Sequence, residues 1–245
     1  MSHDVRTPIN GIQGCVDIAD RYPDDLKLQQ EARTKIRTAS GYLLNLVNDV
    51  LDMNKLESGN IQLERKHFNL LEVLHNTNEI IRVQANESGV NYYVEDGEII
   101  HTQLIGSPVH FQQILMNIGS NAVKYNQDGG SVTVSCREVS YTDTTAEYEL
   151  TCTDTGIGMS EEFQKKAFEP FAQEGQSART KYAGTGLGLA IAKKLIELQG
   201  GTLFFESIQG KGTKFILRIP FEISAEEQEK KSHMYQNCSV EGVQV

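Results

Sequence analysis

Residues 24–57 read DDLKLQQEARTKIRTASGYLLNLVNDVLDMNKLE, and this stretch decides the fold of the first part of the chain. Its apolar residues form two series that each repeat every seven positions: Ile36, Leu43 and Val50, and Ala39, Leu46 and Met53. A heptad repeat sustained over this length is typical of the seam of a coiled coil or helix bundle. The sequence therefore predicts one continuous helix over about residues 24–57, roughly 50 Å long at ~1.5 Å per residue.

A shorter helix is predicted before it, over residues 5–19. Its apolar positions are spaced by four, three, four and three residues, which places them in one stripe: Val5, Ile9, Ile12, Val16 and Ala19. The sequence YPDD at 22–25 then interrupts the helix and supplies acidic caps for the next one. Because two helices cannot bury such a seam alone, we expect a homodimer that forms a four-helix bundle. The alternative is a helical hairpin that packs on its own globular domain.

The opening residues, MSHDVRTP at 1–8, place several reactive side chains within two turns. Thr7 lies one helical turn after His3 on the same face, where its hydroxyl could position a water molecule. A carboxylate at Asp4 that accepts the Nδ1–H of His3 would leave Nε2 free as a nucleophile. Pro8 has no N–H and leaves the carbonyl of Asp4 without its helical partner. A single exposed histidine is more often without a catalytic role, but this combination makes His3 a candidate nucleophile.

The stretch SHDVRTPINGI at 2–12 closely resembles the H-box of sensor histidine kinases of two-component systems. The resemblance implies that ATP phosphorylates His3 and that the phosphoryl group passes to an aspartate of a response regulator. Asp4 would act as the base or hold the tautomer of His3. Thr7 would serve the reverse activity, dephosphorylation of the regulator.

After Gly59 the periodicity changes, and predicted strands, the first over residues 61–70, alternate with amphipathic helices. The helix that Ser107 and Pro108 open carries a polar stripe of Asn117, Asn121 and Lys124, spaced i, i+4 and i+7. Amide oxygens suit Mg²⁺, and an ammonium group suits phosphate, so the stripe fits a metal-bound polyphosphate. The alternative is an ordinary solvated face.

Two glycine-rich segments follow. Residues 154–158, DTGIG, come at the end of a predicted strand, where Asp154 could accept a hydrogen bond from an adenine amino group. Gly184, Gly186 and Gly188 open a predicted helix, whose free N–H groups and positive dipole end favour anions. Between them, residues 169–183 have little periodicity.

The segment at 169–183 is a candidate mobile lid, in which Arg179 and Lys181 could close onto phosphates. The alternative is an ordinary surface loop. Neither glycine pair matches the dinucleotide-binding pattern, and a Walker-type sequence does not occur, so both of those site types are disfavoured.

Four segments in order, NIGSNAVKY, DTGIGM, FEPF and GTGLGLAI, resemble the N, G1, F and G2 boxes of the histidine-kinase catalytic domain. The resemblance implies ATP and Mg²⁺ as cofactors, with Asn121 as the magnesium ligand and Asn117 in support. Lys124 would contact phosphate, Tyr125 would flank the base, and Asp154 would read adenine. Phe168 and Phe171 would anchor the lid. The other implied nucleotide-binding residues are Gly156, Gly158, Arg179, Lys181, Gly184, Thr185, Gly186, Leu187 and Gly188.

The implied fold class is α+β. An N-terminal helical hairpin, a dimeric four-helix bundle, precedes an α/β sandwich in which helices cover one face of a mixed sheet. We expect a dimerisation and phosphotransfer hairpin at 1–60, an ATP-binding domain at 61–223 and a linker at 224–245. A receiver domain after the linker is one hypothesis, and a disordered natural terminus is its alternative. The regulator's receiver domain would then be either fused downstream or separate.

Composition excludes several other classes of protein. A formal net charge of −10 argues against nucleic acid or an anionic membrane surface as the main partner. The four cysteines are scattered without a C-x-x-C pair, so neither a zinc site nor a disulfide framework is indicated. No apolar run approaches the ~18 residues of a membrane span, so membrane contact would come only through segments outside this sequence. We expect the cytoplasmic portion of a membrane-anchored sensor.

Two alternative functions are also compatible with the sequence. The first is an ATPase of the wider GHKL superfamily, which would use the same ATP site for conformational cycling. The second is a catalytically silent module for dimerisation or regulator binding.

Overall fold

The computed structural model describes residues 2–174 and 184–225, with the side chains described from Val5 onward. The chain divides into two compact units. The helical unit comprises Met1–Ile61 and Glu169–Ile191, and the sheet unit comprises Gln62–Phe168 and Ala192–Val245, each as far as it is described.

The helical unit is built on α1 (Ser2–Arg21) and α2 (Leu26–Glu57), which pack against each other. Asp25 is the N-cap of α2, and its Oδ1 accepts the N–H groups of Lys27 and Leu28, both at 3.0 Å. Gln29 Nε2 donates to the carbonyl oxygen of Ala19 at 2.6 Å, which ties the start of α2 to the end of α1. Both predicted helices and the acidic cap between them are confirmed.

The apolar seam of α2 is partly covered within the chain. Leu46 is buried, and the other five members of the two heptad series are half-buried. A further apolar series that the heptads did not include stays exposed, at 61% for Leu44, 44% for Val47 and 50% for Leu51. One chain therefore leaves apolar surface on α2 open to solvent.

The sheet unit contains a mixed seven-stranded sheet. Its strands are β1 (Lys66–Asn69), β2 (Asn91–Glu95), β3 (Gln103–Gly106), β4 (Ser131–Tyr141), β5 (Thr145–Asp154), β6 (Thr202–Ile208) and β7 (Gly212–Ile223). The order is β1-β3-β7-β5-β4-β2, and β6 pairs with the part of β7 that β3 leaves free. Only β2 and β4 run parallel, among the described pairs. The predicted strand over 61–70 is too long, because only 66–69 finds a partner, in β3.

In the described part of the chain, four helices accompany the sheet: α3 (Leu70–Glu87), α4 (Pro108–Lys124), α5 (Glu161–Gln164) and α6 (Gly188–Leu198), whose first turn belongs to the helical unit. α4 buries Phe111, Ile114 and Ile118. Phe111 and Phe68 both meet Phe221 of β7 edge to face, with ring centroids 5.2 Å apart in each pair. This apolar layer fixes the rotation of α4 on the sheet, which confirms the predicted sandwich.

A buried polar network that the sequence did not reveal fixes the loop between β2 and β3. His101 Nδ1 lies 2.6 Å from Glu138 Oε1, and the two side chains are only 2% and 3% exposed. Glu138 Oε2 also accepts the N–H groups of Ile100 and His101, and the Tyr148 hydroxyl donates to the His101 carbonyl oxygen. Because every buried polar group here has a partner, the network stabilises the loop rather than straining it.

Of the helices in the described residues, none combines the length and the apolar character needed to cross a membrane.

Candidate functional site

α4 presents the predicted polar stripe on a face about a quarter turn around the helix from its buried residues. Pro108 at the first helical position needs no N–H partner, and Ser107 Oγ lies 2.6 Å from His110 Nδ1 instead of capping a backbone group. Asn117, Asn121 and Lys124 are all half-buried. The structure therefore places the predicted stripe in one partly dehydrated row.

The two asparagines of this row have unused hydrogen-bonding capacity. Asn117 Nδ2 is completely buried and has no hydrogen-bond partner among the described residues. The side chain of Asn121 forms no hydrogen bond with another described residue. An unsatisfied buried donor costs about 1–3 kcal/mol, so a polar ligand that pairs with Asn117 would recover that free energy.

Lys124 and Tyr125 end α4 as a pair. Lys124 Nζ lies 3.1 Å from the Tyr125 hydroxyl oxygen and 4.5 Å from the ring centroid. Burial lowers the pKa of Lys124 to about 8, because desolvation disfavours the ammonium form. At neutral pH the side chain is still mainly cationic, and a poorly hydrated cation attracts phosphate strongly.

Asp154 ends β5 and is 7% exposed. Its Oδ1 accepts the N–H groups of Gly156 at 2.8 Å and Thr213 at 3.2 Å, which leaves Oδ2 without a hydrogen bond to a described residue. Burial raises the pKa of Asp154 to about 6, although the two backbone donors act in the opposite direction. Above that pH the carboxylate can accept a hydrogen bond from a ligand amino group.

The DTGIG turn is joined directly to the end of α4. The N–H of Ile157 donates to the carbonyl oxygen of Tyr125 at 3.0 Å. Gly158 has φ +62°, and a Cβ there would lie 2.1 Å from the carbonyl oxygen of Ile208, so no other residue fits without a shift. The carboxylate of Asp154 and the Lys124–Tyr125 pair are thus held at one end of the sheet unit.

Phe168, predicted to anchor the lid, stacks within the sheet unit. Its ring centroid lies 5.4 Å from that of Phe205, and Lys193 Nζ lies 5.5 Å from its centroid. Phe171, the second predicted anchor, has φ +63° and is 38% exposed.

In the helical unit, Ala172 and Gln173, which follow the FEPF segment, lie against the second glycine segment. Gly186 has φ +72°, and a Cβ there would lie 2.8 Å from the carbonyl oxygen of Ala172. Gln173 Nε2 donates to the carbonyl oxygen of Gly184 at 2.7 Å. Leu187 is fully buried, and Gly188 is the first residue of α6. The segments on either side of residues 175–183 are therefore held together.

α2 also binds the glycine segment, through two residues that the sequence did not single out. Thr185 Oγ1 donates to Asp49 Oδ2 at 2.7 Å, and the Tyr42 hydroxyl donates to the Gly184 carbonyl oxygen at 3.3 Å. Burial raises the pKa of Asp49, while the hydrogen bond from Thr185 lowers it. No short motif could have revealed this contact, because Asp49 and Thr185 are 136 residues apart.

The phosphoacceptor candidates lie at the start of α1. His3 and Asp4 occupy its first turn, and their side chains lie outside the described part of the structure. Thr7 is exposed and Pro8 is buried. Arg179 and Lys181 lie outside the described residues, so their predicted role in a lid is not tested.

The residues of the sheet unit fit a nucleotide with a magnesium ion. An amide at Asn121 offers an oxygen ligand, Lys124 a cation and Asp154 an acceptor, and Asn117 offers an unused donor beside them. Mg²⁺ commonly takes one or two protein oxygens and fills its other positions with water and substrate phosphates.

Two family models match this chain. The model described as His Kinase A (phospho-acceptor) domain matches residues 1–59. The model described as Histidine kinase-, DNA gyrase B-, and HSP90-like ATPase matches residues 106–223. The chain belongs to the histidine kinase family. This agrees with the resemblance of its H, N, G1, F and G2 boxes.

Curated relatives of this chain are much longer than it is. Sensory/regulatory protein RpfC of Xanthomonas campestris pv. campestris is 32% identical over 223 residues, which cover 91% of this chain and 31% of RpfC. Hybrid signal transduction histidine kinase A of Dictyostelium discoideum is 36% identical over 230 residues, which cover 90% of this chain and 10% of the relative. The chain therefore spans a third or less of the length of these relatives.

Solved structures agree with the fold. The structure of full-length ShkA in complex with AMPPNP matches this chain with a TM-score of 0.67 and 26% identity. The match covers 91% of this chain and 45% of ShkA. The histidine kinase ThkA in complex with the response regulator protein TrrA has a TM-score of 0.68 and 23% identity, covering 89% of this chain and 59% of that one.

Proposed function

We propose that this chain is an ATP-dependent protein-histidine kinase that phosphorylates its own His3. The observation that carries the proposal is the arrangement at the end of α4. There the unsatisfied amide of Asn117, the dehydrated cation of Lys124 and the carboxylate of Asp154 lie on connected segments. The complex of the related ShkA with AMPPNP, an ATP analogue, supports ATP as the nucleotide.

Each residue of the row, and each residue beside it, has a distinct part in this proposal. Asp154 accepts the adenine amino group, and Tyr125 flanks the base. Lys124 neutralises phosphate charge, and Asn121 supplies an amide oxygen to Mg²⁺, with Asn117 in support. The glycine segment, Gly184 to Gly188, offers its backbone N–H groups to the phosphates, apart from that of Leu187, which donates to Thr185 Oγ1. Catalysis then consists mainly of positioning and charge neutralisation.

ATP supplies the phosphoryl group, and His3 supplies the nucleophile. The lone pair of Nε2 attacks the γ-phosphorus, the bond from that phosphorus to the bridging oxygen breaks, and ADP leaves with the electron pair. Asp4 holds the Nδ1 proton and so stabilises the imidazole as positive charge develops on it. Thr7 orients water for the reverse activity, dephosphorylation of the regulator.

We further propose that the chain acts as a homodimer. The exposed apolar series on α2, Leu44, Val47 and Leu51, needs a cover that the described residues of one chain do not provide. A four-helix bundle made from two hairpins would bury it.

The phosphoryl group would pass to an aspartate of a receiver domain, either separate or fused downstream. ThkA was solved with a response regulator protein, and a related Dictyostelium protein is named a hybrid kinase. The proposed domain boundaries are 1–60, 61–223 and 224–245, although the described residues 169–174 and 184–191 belong to the helical unit. That the chain is the cytoplasmic portion of a membrane-anchored sensor also stays a prediction.

The test is incubation of the full chain with γ-³²P-labelled ATP and Mg²⁺. We expect label that is stable in alkali and lost in acid, and no label in His3→Gln, while ADP binding measured by calorimetry is retained. The control is His67→Gln, which alters an exposed histidine of β1. Unchanged labelling of the His3 variant would refute the assignment. Steady phosphate release without labelled protein would favour the GHKL ATPase, and absence of ADP binding would favour the silent module.

A further inference from the structure

The sheet unit contains a cavity of about 280 Å³ between α3, α4 and the sheet. Its wall on α4 is formed by Leu115, Ile118 and Gly119. At about 100° per residue, Leu115 and Gly119 lie roughly 120–160° around the helix from Asn117 and Asn121, while Ile118 lies between the two faces. None of the predicted nucleotide-binding residues lines the cavity. It is therefore separate from the proposed ATP site.

The inner end of the cavity is apolar and uncharged. Leu150, Cys152 and Ile118 line it and are at most 7% exposed. Burial raises the pKa of Cys136 and of Cys152 to about 12, so both remain neutral thiols. This end offers a ligand dispersion contacts and no charge.

Two hydroxyl groups of the wall, those of Thr77 and Tyr92, are already paired. Thr77 Oγ1 donates to the Val73 carbonyl oxygen at 2.7 Å, and the Tyr92 hydroxyl donates to Asn78 Oδ1 at 2.8 Å. A water molecule needs two to four polar partners to be stable in a cavity, so these walls favour an apolar occupant.

The outer end of the cavity is acidic and open. Leu71 and Val94, both lining residues, are 48% and 45% exposed, which marks the opening at the end of β2. Glu95 and Asp96 follow Val94 in the lining, are exposed, and form no ion pair with another described residue. The cavity thus runs from a neutral apolar interior to two carboxylates.

We propose that this cavity is a second ligand site, which binds a small amphiphile with an alkyl body inside and a cationic head against Glu95 and Asp96. The volume of the cavity limits the length of the alkyl body. A cavity of roughly 150 Å³ with apolar walls holds one benzene molecule, so the present cavity holds roughly ten carbon atoms. A linear primary amine of eight carbons meets both requirements.

The test titrates the full chain with octylamine, octan-1-ol and octanoate at pH 8, by calorimetry and by methyl NMR. We expect octylamine to bind saturably, about threefold to tenfold more tightly than octan-1-ol, because two exposed carboxylates attract its head group, and octanoate to bind most weakly. The NMR shifts should be largest at Ile81, Leu115 and Leu150, which line the cavity.

Filling variants locate the site. Leu115→Phe and Cys152→Met add atoms from opposite walls and should each weaken octylamine binding at least tenfold. Leu198→Phe, at an exposed position of α6, should leave it unchanged. ADP binding by each variant shows that it is folded, and the second filling variant decides the matter if the first does not fold.

Charge variants test the head group. The double variant Glu95→Gln with Asp96→Asn should bring octylamine to the affinity of octan-1-ol, while Glu98→Gln, which changes an acid outside the lining, should not. Absence of saturable binding by all three probes would overturn the proposal. So would octylamine binding that both filling variants leave intact, or equal affinity for the amine and the carboxylate.

Discussion

Replacement of Asp154 by asparagine should make the sheet unit more stable and a poorer binder of nucleotide. Burial raises the pKa of this carboxyl group from 3.8 to about 6. Because the native state binds the proton more tightly than the unfolded chain, this group lowers the free energy of unfolding as the pH rises from 3.8 to 6. Above pH 6 the full cost is about 3 kcal/mol, at about 1.36 kcal/mol per tenfold difference in proton affinity.

The asparagine variant avoids this cost, and its Oδ1 can still accept the N–H groups of Gly156 and Thr213. We expect a gain in the free energy of unfolding of up to about 3 kcal/mol at pH 7.5, and of only about 1 kcal/mol at pH 4.5, where most of the cost is absent. The variant should also bind ADP weakly, since its amide would present a donor to the adenine amino group.

Urea denaturation of the full chain, followed by circular dichroism, gives the free energies of unfolding. Amide hydrogen exchange in β5 and β7 shows whether the change in stability lies in the sheet unit. Asp143→Asn, at an exposed turn, is the matched control and should show no such change. A variant that is less stable than the wild type at pH 7.5 would show that the carboxylate is stabilised by its surroundings. A gain that does not depend on pH would show that it does not come from the ionisation of Asp154.

Four other predictions concern single contacts. Nucleotide affinity should fall as the pH rises through about 8, because Lys124 then loses its proton, and Lys124→Met should remove that dependence in a calorimetric pH series. Thr185→Val should lose the hydrogen bond to α2, worth about 1 kcal/mol, and speed amide exchange at residues 184–187 about fivefold. Thr7→Ala should spare labelling of the chain by ATP but slow dephosphorylation of a phosphorylated receiver domain. Leu44→Glu with Leu51→Glu should convert a dimer to monomers in analytical ultracentrifugation, because charge would replace exposed apolar surface at the interface.

Each has a control or a result that would contradict it. The control for Lys124→Met is Lys27→Met, which changes a lysine in the first turn of α2. This variant should still show the fall in nucleotide affinity as the pH rises through about 8. Thr34→Val, which removes only a bond to the Gln30 carbonyl oxygen, should leave exchange at the glycine segment unchanged. Equal loss of kinase and phosphatase activity in the Thr7 variant would mean that the residue is structural. A wild-type chain that is monomeric at micromolar concentration would refute the dimer.

Local patterns in the sequence were enough for the elements that follow short-range rules. The heptads at 24–57 and the acid at position 25 predicted α2 and its cap, because helix periodicity and capping depend on residues within a few positions of one another. The asparagine row on α4 followed from the same periodicity. The first predicted strand, at 61–70, was too long, because a strand ends where its partner ends, and the partner is β3.

The sequence by itself determined the helices, most strands and the identity of the candidate site residues, since each depends on neighbours in the chain. Only the tertiary structure decided which distant groups meet. It paired His101 with Glu138, placed Thr185 on Asp49 and left a cavity beneath α4. It also decided how far Asp154 and Lys124 are dehydrated, and hence the direction of their pKa changes. Burial and contact arise from packing between elements far apart in the chain, which no local pattern encodes.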